Sequence, residues 1–150
     1  MPCITTPAYP AVIGRPSYVA FTPILAWDAG ANTINTEDGD CYFQWSVNND
    51  IVGGVAGFSP PNRDSWRYGD LTHAFFIVSV NGARAIQVIE NGQLKGSPLP
   101  CPAGAVLYIR RVRGVVEYFI NSTRVYTSTT RSTGTIRGGS VLYASGDKII

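Results

Sequence analysis

Charged residues are scarce in this sequence. They make up 15% of its 150 residues, whereas 45% of the residues are hydrophobic. An intrinsically disordered chain needs the opposite balance, with high net charge and few apolar residues. The net charge of +2 is also too small for the long electrostatic footprint of a nucleic-acid-binding surface. We therefore expect a folded protein that has no nucleic-acid partner.

Long hydrophobic runs are also absent. A transmembrane helix needs about 18 or more consecutive apolar residues, and no stretch of the sequence supplies them. The first residues, MPCITTPAYPAVIGRP, contain neither the basic n-region nor the continuous apolar h-region of a signal peptide. We expect no membrane insertion and no signal peptide in this chain.

The sequence contains only three cysteines and one histidine. Cys3, Cys41 and Cys101 cannot all pair within one monomer, and none has the Cys-x-x-Cys or histidine-containing spacing of a zinc site. The segment DGD at 38–40 lacks the repeated oxygen ligands of a calcium loop. His73 has no Gly-x-Ser-x-Gly nucleophile to serve, so we interpret it as structural. The sequence predicts no metal site and no cofactor.

Paired carboxylates, which glycoside hydrolases place on the two sides of the scissile bond, are missing as well. Glu37, Asp38 and Asp40 cluster in a turn, where short acidic side chains cap backbone groups. Glu90 and Glu117 each stand alone in a predicted strand. We expect a protein that is not an enzyme, with a carbohydrate-active enzyme as the alternative.

Short β-strand patterns occupy most of the chain. Runs rich in Val, Ile, Tyr, Phe and Thr recur at intervals of about ten residues, and 16 Gly and 10 Pro separate them. The pattern predicts an all-β sandwich, in which two antiparallel sheets pack face to face. Residues 1–20 are predicted to form an extended Pro-rich segment that could dock onto a partner. Residues 21–150 are predicted to form a single β-sandwich domain.

Alternation within the runs predicts which faces are buried. Between Cys41 and Val47 every second residue is apolar, so Cys41, Phe43, Trp45 and Val47 should share the buried face. The run HAFFIVSV (73–80) is apolar on both faces. It predicts a central strand that is covered on both sides or faces a partner.

Turn residues predict the hairpins. Asn91-Gly92 gives the strongest signal, because both residues adopt positive φ readily. Arg113-Gly114 and Asn121-Ser122 are predicted to join three further strands into a meander. The stretch AGANTINTEDGD (29–40) is predicted to form a turn-rich hairpin around Asn32-Thr33-Ile34.

Several short motifs follow one another in a characteristic order. They are Glu90-Asn91-Gly92, Ala103-Gly104, Ile109-Arg110-Arg111, Gly114, Val116-x-Tyr118-Phe119-x-Asn121, Val125-Tyr126 and Leu142-Tyr143. In this order they resemble the concanavalin A-like, SPRY-like jelly-roll modules of bacterial surface proteins and bacteriophage virion proteins. The resemblance implies a jelly-roll sandwich that binds glycans or serves as a spacer or packing surface. Ser122 departs from the family pattern, which has Gly at that corner.

Three arginines, Arg110, Arg111 and Arg113, lie close together near the end of a predicted strand. Alternation places Arg111 and Arg113 on one face and Arg110 on the other, so they do not form the single stripe of a nucleic-acid interface. Glu90 and Glu117 are the expected cross-strand partners of this group.

The loop PPNRDSWRYGD (60–70) is the candidate binding site. Its aromatic, amide and charged residues are Asn62, Arg63, Asp64, Trp66, Arg67, Tyr68 and Asp70. An aromatic ring together with planar hydrogen-bonding groups suits a sugar, but the same residue types dominate protein–protein hot spots. Trp66 and Tyr68 could instead plug one end of the sandwich, and all three interpretations are compatible with the sequence.

These features predict a non-enzymatic binding module on the exterior of a virion or cell, as in a bacteriophage tail or capsid component. Its expected partner is a host-surface glycan or a neighbouring virion protein. The alternative is a purely structural module for virion assembly or decoration. Exposed sheet edges and the apolar run 73–80 also predict a homo-oligomer.

Overall fold

The computed structural model describes residues 3–4, 25–62, 67–144 and 146–150. Within these ranges the chain forms eleven strands and a short 3₁₀ helix, Tyr68–Asp70. The strands are β1 (Cys3–Ile4), β2 (Leu25–Asn32), β3 (Cys41–Ser46), β4 (Gly53–Ser59), β5 (His73–Val80), β6 (Ala83–Glu90), β7 (Gln93–Pro100), β8 (Val106–Val112), β9 (Val115–Ile120), β10 (Thr123–Thr127) and β11 (Arg137–Ala144). In the part of the chain that is described, no helix is long and apolar enough to cross a membrane.

The strands form two sheets. One sheet has five strands in the order β1-β3-β8-β9-β10, and the other has six in the order β2-β11-β4-β5-β6-β7. Every neighbouring pair is antiparallel except β1 and β3, which are parallel. The predicted two-sheet antiparallel β-sandwich is confirmed, with one parallel pair at an edge.

The inner faces of the two sheets enclose the main core. The five-stranded sheet contributes Phe43, Trp45, Leu107, Ile109 and Tyr118, and the six-stranded sheet contributes Phe58, Phe75, Ile77 and Ile86. Phe75 joins the two sheets, because its ring lies 6.1 Å from that of Trp45 and 5.2 Å from that of Tyr118. The predicted alternation of buried positions between Cys41 and Val47 is confirmed.

Strand β5 has the central position that its apolar sequence predicts. It is the fourth strand of the six-stranded sheet, between β4 and β6. Its outer face is covered by Leu71, which is fully buried in a second apolar cluster with Val55, Ala74, Ile89 and Val141. Gly57 allows β4 to approach β5 closely, since a Cβ at this position would lie 2.1 Å from the His73 carbonyl oxygen.

The predicted tight turns are confirmed. Asn91-Gly92, Arg113-Gly114 and Asn121-Ser122 each place two successive residues at positive φ between antiparallel strands. This geometry matches the right-handed twist of the strands that the turns connect. A fourth turn of this kind, Asn81-Gly82, joins β5 to β6 and was not predicted, although its Asn-Gly dipeptide carries the same signal.

The predicted hairpin around Asn32-Thr33-Ile34 is wrong. β2 continues to Asn32 and pairs with β11, and beyond it the Thr33 amide donates to the Gly138 carbonyl over 2.9 Å. Glu37 forms a bridge with Ile136. The segment therefore follows a distant part of the chain, because hydrogen bonds with β11 and the residues before it replace local pairing.

Most of the predicted N-terminal docking segment, residues 1–20, lies outside the described residues. Its described part is β1, whose two residues pair in parallel with Tyr42 and Phe43 at the edge of the five-stranded sheet.

Candidate functional site

The predicted binding loop is only partly described. The described residues are Asn62, Arg67, Tyr68 and Asp70, and those outside the described ranges are Arg63, Asp64 and Trp66. Asp70 Oδ2 accepts a hydrogen bond of 2.9 Å from the Arg67 amide, and the Asp70 amide donates one of 3.0 Å to the Arg67 carbonyl. One carboxylate oxygen of Asp70 therefore holds the loop's own turn.

The loop lies against the outer face of the six-stranded sheet. Its Leu71 carbonyl accepts a hydrogen bond of 3.1 Å from the amide of Asn91, in the turn between β6 and β7. The ring of Tyr68 contacts Phe76 of β5 edge-on, with 6.0 Å between centroids, and 40% of Tyr68 remains exposed. The described part of the loop thus presents one aromatic ring on this face of the sandwich.

A larger set of aromatic and planar polar side chains lies on the opposite side of the molecule, on the outer face of the five-stranded sheet. We call this set the Tyr/Arg patch, and it consists of Tyr42, Gln44, Tyr108, Arg110, Glu117, Phe119 and Arg124. Gln44, Tyr108, Phe119 and Arg124 are aligned in one cross-strand row over β3, β8, β9 and β10. Tyr42, Arg110 and Glu117 are aligned in the next row.

The aromatic rings of the Tyr/Arg patch form a continuous surface. Tyr42 and Tyr108 are stacked with 5.2 Å between centroids and 28° between planes. Tyr108 contacts Phe119 edge-on at 5.4 Å. All three rings are partly exposed, and partial burial raises the pKa of the Tyr108 hydroxyl. These contacts fix the orientations of the three rings, so that binding a ligand costs less conformational entropy than it would with mobile rings.

Glu117 holds the two arginines of the patch. Arg110 donates from Nε and Nη2 to Glu117 Oε1, at 2.9 Å each, and its guanidinium carbon lies 5.0 Å from the centre of the Phe119 ring. Arg124 donates from Nη1 to Glu117 Oε2 over 2.8 Å. The hydrogen bond from Arg124, followed by that from Arg110, holds the pKa of Glu117 below its usual range. The predicted pairing of Glu117 with an arginine is confirmed.

The Tyr/Arg patch was not predicted from the sequence. The available signal was that the outward positions of β3, β8 and β9 carry aromatic residues, in Tyr42, Tyr108 and Phe119, where a merely solvated face would be polar. Strand pairing brings these residues together from distant parts of the chain.

Glu90 does not pair with the arginines, so that expectation is wrong. It is buried between the sheets, where its Oε1 accepts a hydrogen bond of 3.0 Å from the Tyr118 hydroxyl. Its Oε2 has no hydrogen-bond partner within the described part of the chain. Burial, reinforced by the Glu90 carboxylate, raises the pKa of Tyr118 well above its usual range.

The predicted common face for Arg111 and Arg113 is also wrong. Arg113 lies in a turn at positive φ, whereas Arg111 is 2% exposed and points into the sandwich. The Arg111 guanidinium group donates five hydrogen bonds, one for each of its N–H groups. Nε and Nη2 both bond the Gly39 carbonyl, and Nη2 also bonds the Glu37 carbonyl. Nη1 bonds the Gly134 carbonyl and the Ser132 hydroxyl. Arg111 therefore ties two loops to β8 and is structural.

His73 is buried at the start of β5. Its Nε2 lies 2.9 Å from the Thr130 carbonyl, which can only accept, so Nε2 carries the proton of the neutral ring. Desolvation lowers the pKa of His73. These contacts are those of a structural histidine that is neutral at physiological pH.

Four acidic residues that the sequence singled out occupy different structural settings. Glu90 faces the interior, and Glu117 faces outward on the five-stranded sheet. Asp40 Oδ1 caps the turn at Arg113, whose amide donates to it over 2.7 Å. Asp38 accepts a hydrogen bond from the Thr135 hydroxyl.

A cleft of about 170 Å³ opens between the edge strands β7 and β10. Its floor and walls are mainly apolar, and the apolar lining residues are Phe75, Ile86, Val88, Leu99, Val125 and Tyr126. Lys95 of β7 also lines the cleft. The side-chain amide of Gln87 donates a hydrogen bond of 2.8 Å to the Gly96 carbonyl there.

Two cysteines have described side chains. Cys41 and Cys101 are free and buried, and burial raises the pKa of Cys41 to about 11. No group of three or more His, Cys, Asp or Glu residues is placed to hold a metal ion anywhere in the described segments.

Solved structures define the class of the fold. The chain is similar to the PSpry domain of TRIM65, at 13% identity over 85% of this chain and 70% of that chain, with a TM-score of 0.54. It is also similar to the carbohydrate binding module CBM66 from Bacillus subtilis, at 10% identity over 83% of this chain and 79% of that chain, with a TM-score of 0.52. The galectin LEC-6 of Caenorhabditis elegans is similar at 10% identity over 89% of this chain and 99% of that chain, with a TM-score of 0.44.

The protein is therefore a concanavalin A-like jelly-roll sandwich, as its motif order implied. No protein-family model matches the chain, and no curated protein matches it in sequence. Jelly-roll folds host many unrelated functions, so the fold alone does not assign a function to this chain.

Proposed function

We propose that this chain is a non-enzymatic carbohydrate-binding module and that the Tyr/Arg patch is its binding surface. The observation that carries the proposal is the aligned row of Gln44, Tyr108, Phe119 and Arg124 across four strands. Aromatic rings accept the apolar face of a sugar, while amide and guanidinium groups bond its hydroxyls. A rigid sheet holds such groups more accurately than a loop does.

The arrangement of acids supports binding rather than hydrolysis. Glycoside hydrolysis needs two carboxyl groups about 5–10 Å apart on either side of the sugar. Within the described residues, the carboxylate of the patch is Glu117, and both of its oxygens are bonded to arginines. A carboxylate held ionised in this way is poorly suited to act as a general acid.

The predicted loop is a second candidate surface for the same function. Its Tyr68 is partly exposed on the other side of the sandwich, and Trp66, predicted as a second aromatic residue of this surface, lies outside the described residues. Among the described residues, the loop presents one aromatic ring and the patch presents three, so we favour the patch.

The setting that we propose is the exterior of a virion or cell, where such a module would engage a host-surface glycan. This part rests on the resemblance of the sequence motifs and on the scarcity of charge. A purely structural role in virion assembly is the second candidate, and the positions of β7 and β10 at edges of the described sheets favour it, because another chain could pair with an edge strand. Deletion of residues 1–16 would then prevent incorporation into particles, while glycan panels would stay blank.

Retention on immobilised polysaccharides tests the proposal and distinguishes the two surfaces. We expect Tyr108→Ala to weaken retention about tenfold or more, as loss of a stacking ring should, with its melting temperature still showing a folded protein. Tyr68→Ala and Trp66→Ala are the matched aromatic controls and should leave retention unchanged. The patch is ruled out if the loop variants lose retention instead, and glycan binding is ruled out if the wild-type protein is retained on no polysaccharide.

A further inference from the structure

We propose that the ligand of the Tyr/Arg patch is an acidic glycan, whose carboxylate or sulfate group binds the donors of Arg110 and Arg124 that Glu117 does not use. This inference rests on the proposed function and specifies the class of sugar. It follows from the hydrogen bonds and charges of three residues, together with the rings beside them.

The two guanidinium groups are held as a pair. Each bonds a different oxygen of the same carboxylate, that of Glu117, so they cannot lie far apart. Arg110 is also packed against the Phe119 ring. A pair of fixed guanidinium groups binds an oxyanion at a lower entropic cost than two mobile side chains would.

Both arginines keep donors for a ligand. A guanidinium group has five N–H donors. Among the described residues, the Nη1 group of Arg110 and the Nε and Nη2 groups of Arg124 have no partner. The Arg110 side chain is 37% exposed and that of Arg124 is 59% exposed, so these donors can be reached from solvent.

The charges of the patch favour an anion. Two guanidinium cations share one carboxylate, so the patch has an excess of one positive charge. Glu117 stays ionised at neutral pH, because the arginines stabilise its charged form. It accepts hydrogen bonds from only some of the N–H groups of Arg110 and Arg124. An incoming carboxylate or sulfate would form charge-assisted bidentate bonds with the remaining donors.

The neighbouring rings favour a sugar over a nucleic acid. The stacked pair Tyr42 and Tyr108 lies beside the arginines, so a sugar ring that carries the acidic group would lie on an aromatic surface. A nucleic acid would need a stripe of several phosphate contacts, whereas the Tyr/Arg patch has two guanidinium groups and the whole chain carries a net charge of only +2.

Matched pairs of glycans test the inference. We would measure binding to polygalacturonate and its methyl ester, to sialylated glycans and their desialylated forms, and to sulfated glycosaminoglycans and their desulfated forms. Single-stranded DNA would be included as a competing polyanion. The proteins would be wild type, Arg110→Gln, Arg124→Gln and the double variant, with Lys95→Gln as a control that removes one positive charge from the other sheet.

We expect the wild-type protein to bind at least one acidic glycan about tenfold or more tightly than its neutral counterpart, since charge-assisted hydrogen bonds are lost with the acid group. Arg124→Gln should remove most of this preference, and raised salt should weaken it, while Lys95→Gln should behave as wild type. If the double variant fails to fold, Arg124→Gln alone tests the assigned residues, because the Arg124 side chain is exposed and its replacement should leave the fold intact.

Each other outcome overturns the inference in a distinct way. Equal binding to the acidic and neutral members contradicts the acidic class and leaves the proposed function standing. Retention of an acidic glycan that survives the double variant contradicts the assigned residues. Tighter binding of single-stranded DNA than of any glycan, or no retention at all, contradicts both the inference and the proposed function.

Discussion

Tyr118 and Glu90 are joined by a hydrogen bond of 3.0 Å between the two sheets, from the tyrosine hydroxyl to Oε1 of the carboxylate. The two residues come from opposite sheets, Tyr118 from β9 and Glu90 from the end of β6. Both are buried, and the second carboxylate oxygen of Glu90 has no hydrogen-bond partner among the described residues. This bond therefore provides the main polar contact of a carboxylate that folding removes from water.

Removal of the Tyr118 hydroxyl should destabilise the fold. In Tyr118→Phe both oxygens of Glu90 would lack a hydrogen-bond partner, and we expect the free energy of unfolding to fall by about 1–3 kcal/mol. Urea denaturation followed by tryptophan fluorescence measures this change. Tyr126→Phe, which removes a hydroxyl from a neighbouring ring at 5.8 Å, is the control and should be nearly neutral. Equal effects in the two variants would show that the bond contributes nothing specific.

The neighbouring arginines Arg110 and Arg111 should differ sharply in their contribution to stability. Arg111→Gln removes a buried group that satisfies three carbonyl oxygens and one hydroxyl, so we expect a loss of about 3 kcal/mol or more. Arg110→Gln breaks an ion pair on the outer face, which should cost about 1 kcal/mol or less. Chemical denaturation of both variants tests this contrast. Similar losses would mean that Arg111 does not hold the two loops.

Stability should fall as the solution is acidified below the ordinary pKa of histidine. Burial lowers the pKa of His73 in the folded state, so below about pH 6.5 the unfolded chain binds a proton that the folded chain excludes. The stabilisation is fully present above that pH and is lost as the pH falls towards the folded-state pKa. Glu90 and Arg111 are the charged groups that act on the ring.

Urea denaturation between pH 7.5 and 5.5 measures this effect. His73→Gln keeps an N–H donor for the Thr130 carbonyl but does not titrate, so its free energy of unfolding should vary less over this range. If wild type and variant lose stability in parallel, the pH dependence comes from other groups.

Local patterns predicted the buried face of β3 and three of the tight turns. The alternation from Cys41 to Val47 identified a buried face, and Asn91-Gly92 identified a hairpin, because both depend on residues that are adjacent in sequence. The failed hairpin near Asn32 involved pairing with β11, far along the chain. A local pattern contains no information about which distant strand supplies the partner backbone.

The candidate site was harder to predict for the same reason. Tyr42 and Tyr108 belong to strands far apart in sequence and become a stacked pair only when β3 and β8 align. Arg110 and Arg111 are adjacent, yet one faces solvent and the other bonds loop carbonyls in the interior. The alternation of β8 predicted that the two side chains face opposite ways. It could not predict which loop carbonyls bond Arg111, because tertiary structure places those loops.

Nuclear magnetic resonance mapping of a retained oligosaccharide tests the central claim most directly. Titration into isotope-labelled protein should shift resonances of Tyr42, Gln44, Tyr108 and Phe119, while the oligosaccharide keeps its length through prolonged incubation. Shifts confined to residues 60–71, or shortening of the oligosaccharide by the wild-type protein, would contradict the account of a non-enzymatic module that binds sugar on the outer face of its five-stranded sheet.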